Sequence, residues 1–122
     1  MLRQNIQQMH RDHVPTVPPS FHLLGSTSAS KNQGMVKFYD SDAGTPEPDD
    51  LISQIHILTV QGHPEFTTGI MREVLRARKE SGVIDKDTAE SGLARADVRN
   101  DGESIARVIW EVILQNPLRS GV

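Results

Sequence analysis

The stretch "ILTVQGHPEFTTGIM", residues 57–71, changes its periodicity halfway along. Ile57 to Val60 is a β-branched apolar run, the mark of a buried strand. Beyond Glu65 the apolar residues recur at helical spacing, with Ile70, Met71, Val74 and Leu75 on one face. Between them Gly62, His63, Pro64 and Glu65 form a strand-to-helix junction. The stretch therefore divides the chain into a strand-rich part, 1–66, and a helical part, 67–122.

Working upstream, "QIHILTVQ" completes the central strand, "GMVKFYD" carries Val, Phe and Tyr after a glycine, and "SFHLLGSTS" and "RQNIQQMH" show mixed alternation. All four are expected to be strands. "VPTVPP" between the first two is a connection, because proline removes donors and holds the chain extended. Residues 41–50, "SDAGTPEPDD", read as a solvated acidic loop. Downstream, a first helix is expected from about Thr68 to Ser81, closed by Gly82. A weaker, peripheral helix follows, capped by Asp87 with Glu90 and ending near Ala96, with Ala89, Leu93 and Ala94 as its apolar face. Asp101 and Ser104 open a last helix in which Ile105, Ile109, Val112 and Ile113 share a face that should pack on a sheet; Asn116-Pro117 ends it. Strands followed by covering helices give an α/β class, but without the strand–helix alternation of a complete doubly wound sheet.

The composition narrows the functional classes. The chain has 122 residues, 36% of them hydrophobic, enough for one ordinary core or part of one. A formal net charge of -3 with the basic residues dispersed argues against nucleic acid as a partner. No apolar run approaches the length of a membrane span, and "MLRQNIQQMHRDH" lacks the apolar core of a signal peptide. A soluble cytoplasmic protein is expected. Zero cysteines exclude disulfides, thiolate metal sites and a thiol nucleophile within these residues.

Two clusters carry candidate chemistry. In an extended segment residues i and i+2 point to one side, so His63 and Glu65 can meet, and Pro64 restricts the backbone between them. The carboxylate would fix one imidazole tautomer and leave the other nitrogen to accept a proton. A plainer reading makes Glu65 an anion at a helix N-terminus and His63 merely exposed. The second cluster, "QMHRDHVP" at 8–15, holds His10, Asp12 and His13, but no further ligands stand at metal spacing. A kinase catalytic loop would need an asparagine where Val17 stands. "GSTSAS" lacks the pattern of a phosphate-binding loop and reads as an ordinary loop. His22 and His56 are expected to be strand residues, and Trp110 to pack or to face a partner.

In order along the chain, "QMHRDHV", "VPPSFHLLGSTS" and "VQGHPEF" resemble the C-terminal half of class I glutamine amidotransferase domains, nearest the stand-alone group similar to the amidotransferase part of GMP synthase. The resemblance implies a partial flavodoxin-like α/β sheet and hydrolysis of the glutamine side-chain amide by a Cys-His-Glu triad, with no cofactor and no metal. It implies that His63 is the general base and acid, that Glu65 orients it, and that Met9, His10 and Asp12 lie along the glutamine-binding strip. Arg11 stands where the family has glycine. The family's cysteine elbow and oxyanion-hole glycines have no counterpart here. The chain is thus expected to be the C-terminal portion of a single amidotransferase-like domain, inactive alone, with its missing half or an ammonia-accepting synthetase as partner. The competing expectation is a shortened, non-catalytic binding protein acting through an exposed sheet edge; the intact "GHPE" favours the first.

Overall fold

The structure is a computed structural model and describes residues 5–39 and 51–115. Three strands, β1 (His22–Gly25), β2 (Gly34–Phe38) and β3 (Ile55–Val60), are followed by three helices, α1 (Thr68–Glu80), α2 (Lys86–Arg95) and α3 (Gly102–Gln115). The architecture is a mixed α/β one, with the strands in the first half and the helices in the second, as the change of period requires.

The sheet is antiparallel throughout, in the order β1-β2-β3. Val36 faces Leu58 across the β2–β3 ladder, and alternate residues of β2 (Gly34, Val36, Phe38) turn to the buried side. The "GSTSAS" segment is a loop of the β1–β2 connection. Within it Thr27 and Ser30 bond one another, and the buried Asn32 accepts from Gly34 N and, through its carbonyl, from Gln61 Nε2 at 2.9 Å. His22 and His56 are strand residues with exposed side chains; His56 stacks on Tyr39.

One expected strand is absent. Of "RQNIQQMH", the described residues form a single bridge, Gln7 with His63, and no ladder. Its period-two pattern was too mixed to define a buried face. Nothing pairs beside it except the turn at His63, so one register contact is all that forms. The acidic segment 41–50 and the Asn116-Pro117 stop lie outside the described residues.

The helices obey their end signals. Thr67 caps α1, its hydroxyl accepting from Ile70 N, and the chain leaves through Gly82 at φ 72°, where Val83 N donates to Arg78 O. The cap of α2 is Asp85, not the expected Asp87. Its carboxylate takes both the backbone N–H and the hydroxyl of Thr88, which together hold it below its ordinary pKa. Two cores result. Val36, Phe38 and Ile55 form one, covered by Leu58 and by Val112 of α3, so α3 packs on the sheet as expected. Met71, Leu75 and Ala96 form the other, with Met9, Phe66, Ile84 and Leu93 around them. The junction 61–67 runs between the two.

Candidate functional site

The sequence around His63 holds its geometry through backbone bonds. Gln61 N donates to Gln33 O, extending the end of β3, and His63 N donates to Gln7 O at 2.8 Å. The turn at Pro64-Glu65 closes with Phe66 N on His63 O. Gly62 is needed for a close approach: a β-carbon there would fall 2.6 Å from Gln8 Nε2 and 3.0 Å from Ile6. From the far side, Asn100 Nδ2 donates to Phe66 O, and Asp101 and Asn5 exchange two bonds. Segments some ninety residues apart in sequence thus clamp one turn.

On this turn His63 Nδ1 lies 2.9 Å from Glu65 Oε1. An ionised carboxylate only accepts, so Nδ1 carries the proton and Nε2 is left as the basic nitrogen. The hydrogen bond from His63, followed by the residue's own backbone N–H, holds the Glu65 carboxyl below the ordinary glutamate range. The His63 side chain is 32% exposed, so its ring reaches water. Its other constraint is Phe66, stacked on the imidazole at 4.2 Å between centroids with planes 16° apart. Hydrogen bond and stack together fix both the direction and the plane of the ring.

The plainer reading of the junction fails on position. Helix α1 begins at Thr68 with no acidic residue in its first turn, and Thr67, not Glu65, caps it. Glu65 spends its carboxylate on His63.

The other expected site residues lie on the strip that Gln7 ties to His63, but no hydrogen bond joins their side chains to the pair. Met9 turns into the α1–α2 core. His10 is held by its own neighbours, Nε2 at 2.6 Å from Gln8 Oε1 and Nδ1 at 2.9 Å from Asp12 O, while Asp12 is exposed. Among the described residues no group of three or more His, Cys, Asp or Glu is placed to hold a metal ion. No described helix is long and apolar enough to cross a membrane.

A cleft of about 380 Å³ opens beside the pair, bounded by Leu58, Val60, Pro64, Glu65, Ile109 and Ile113. It is apolar except at the Glu65 end. Four residues that shape the site had not been singled out: Gln7, Phe66, Asn100 and Gly102. Phe66 was legible, being an aromatic three places after a histidine across a turn. The rest act across long sequence separations and leave no local signal.

Searches against known proteins agree on one relationship. Over 111 residues, 91% of the chain, it is 30% identical to a predicted glutamine amidotransferase-like protein of Schizosaccharomyces pombe. Over the same length it is 25% identical to a predicted glutamine amidotransferase of Saccharomyces cerevisiae. No family model and no solved structure matches. The chain spans 38% of the length of both relatives it matches, and it contains no cysteine. A junction built around a histidine and a glutamate, in a chain that aligns along nearly its whole length with these two proteins, makes it a distant homologue of glutamine amidotransferase-like proteins, matching part of their length.

Proposed function

We propose that His63 and Glu65 are the base and the orienting carboxylate of a site that hydrolyses the side-chain amide of glutamine, and that the thiol nucleophile comes from polypeptide outside these 122 residues. The supporting observation is the 2.9 Å contact between Nδ1 and the carboxylate, which reserves Nε2 for proton transfer on a ring open to water. In this chemistry Nε2 takes the thiol proton as sulfur attacks the carboxamide carbon. It returns that proton to the departing nitrogen, which leaves as ammonia. Water then adds to the thioester, again losing a proton to Nε2, and glutamate departs as the thiol reforms. Glu65 stabilises the imidazolium each time it forms.

The fold carrying this site would be part of a flavodoxin-like domain, with the strip from Met9 to Asp12 along the substrate. Without the thiol or oxyanion donors, a base alone forfeits most of the acceleration. The isolated chain is therefore expected to release no ammonia from glutamine above a His63→Ala control, and turnover above that control would refute the claim. The positive test is a chimera in which this chain replaces its matched segment in the S. pombe relative. His63→Ala should lower its kcat for ammonia release by about 100-fold or more. An equal rate would end the proposal.

A second reading, a non-catalytic binding protein that pairs through a sheet edge, has β1 in its support. It lies at the edge of the three-stranded sheet with Leu23 and Leu24 exposed.

A further inference from the structure

Helix α3 has two apolar sides. Ile105, Ile109 and Val112 form the inner one, half-buried over the sheet. Ala106, Trp110, Ile113 and Leu114 recur at i, i+4, i+7 and i+8, which is a complete helical stripe in its own right. That stripe turns away from the sheet: Trp110 is 62% exposed, Ile113 54% and Leu114 72%. A helix that is apolar on opposite sides belongs between two layers, and only one layer is present.

The areas agree. The whole chain exposes 9110 Å², about 2,600 Å² more than the roughly 6,500 Å² of a compact monomer of its size. An excess of that order is on the scale that obligate interfaces bury.

Three further facts indicate the occupant. The relatives have well over twice this length, so a large polypeptide remains to be placed. Ile113 also borders the cleft that ends at Glu65, so whatever covers the stripe continues into the space beside the His63–Glu65 pair. A second copy of the chain would cover the stripe but would bring no thiol to that space, since the chain has none.

We infer that the outer stripe of α3 and the cleft from Ile113 to Glu65 seat the thiol-bearing polypeptide that completes the site. This rests on the amidotransferase reading above. The probe is the stretch of the S. pombe relative outside its matched segment, expressed as a separate polypeptide and mixed with the purified 122-residue chain. Trp110, the sole tryptophan, reports the contact directly. A complex of one copy of each by light scattering is expected, with a blue shift of Trp110 emission. Leu114→Glu and Ile113→Glu should each weaken it at least ten-fold, whereas His63→Ala should leave it intact. Leu114 is the most exposed residue of the stripe, so its replacement leaves the fold in place. Absence of the complex, or a complex indifferent to both substitutions, overturns the inference. So does a homodimer of the chain that Leu114→Glu dissolves. The two proposals fail separately: a stripe-dependent complex without ammonia release keeps the surface and ends the glutaminase reading. Ammonia release insensitive to Leu114→Glu does the reverse.

Discussion

Gly102 and Pro64 meet backbone to backbone: a β-carbon on Gly102 would lie 2.2 Å from the carbonyl oxygen of Pro64. The first turn of α3 is thereby pressed against the residue between His63 and Glu65, and the helix that covers the sheet also backs the candidate site. Gly102→Ala has no flexible group to push aside, so the helix start or the turn must move. A loss of about 2 kcal/mol is expected in urea denaturation, together with a changed environment of His63 in NMR spectra. A Gly102→Ala variant with unchanged stability and His63 signals would mean that the two backbones are not in contact.

Gly92→Ala is the contrasting case. Its new β-carbon would fall 2.9 Å from Leu75 Cδ2, a terminal methyl that can rotate. Replacing glycine inside a helix gains about 1 kcal/mol, which offsets the crowding. The same denaturation experiment should therefore show a change within about 0.5 kcal/mol of zero.

Leu75 itself is 3% exposed at the centre of the α1–α2 core. Leu75→Ala removes that packing and should cost about 3 kcal/mol by equilibrium unfolding. Removing the α1 cap with Thr67→Ala should cost about 1 kcal/mol, since Ile70 N loses its acceptor.

The acid side of the stability profile should report the site pair. Glu65 has its carboxyl lowered in the folded chain by the hydrogen bond from His63 and by its own backbone N–H. The unfolded chain then binds the proton more readily than the folded one. The contribution is full above the ordinary glutamate range and is lost as pH falls through the lowered value. In carbon-13 NMR the Glu65 carboxyl should titrate below an ordinary glutamate and move back up in His63→Ala. A titration unaffected by that substitution would show that His63 is not the cause.

Phe66 holds the plane of the imidazole, and it also borders the Met71–Leu75 core. Phe66→Leu keeps apolar bulk but loses the stack. A destabilisation of about 1 kcal/mol is expected, with averaged side-chain couplings for His63 where the parent shows one rotamer. Retention of a single rotamer in the leucine variant would mean that Glu65 alone fixes the ring.

Much of this was readable in residue order because it depends on neighbours. The switch from period two to period 3.6 across Gly62–Phe66 marked the end of β3 and the start of α1, and Gly82 marked where α1 stops. The proximity of His63 and Glu65 followed from i, i+2 geometry around a proline. Where end signals compete within a few residues, order alone erred: Asp85 outdid Asp87 as the cap of α2 because Thr88 presents both its amide and its hydroxyl to it. The segment before His10 has apolar residues but no neighbouring strand, and a ladder needs a partner that local sequence does not supply.

The sequence by itself determined the class of each described helix and strand, the rigid spacing of an imidazole and a carboxylate, and the absence of any cysteine. Tertiary structure alone decided that the strands run antiparallel, that Gln7, Asn100 and Gly102 converge on one turn, and that α3 presents a second apolar stripe to solvent. The reason is one of range. Backbone propensity and side-chain periodicity act over a few residues, whereas pairing partners, close backbone approaches and the exposure of a helix face depend on which distant segments come to lie beside them.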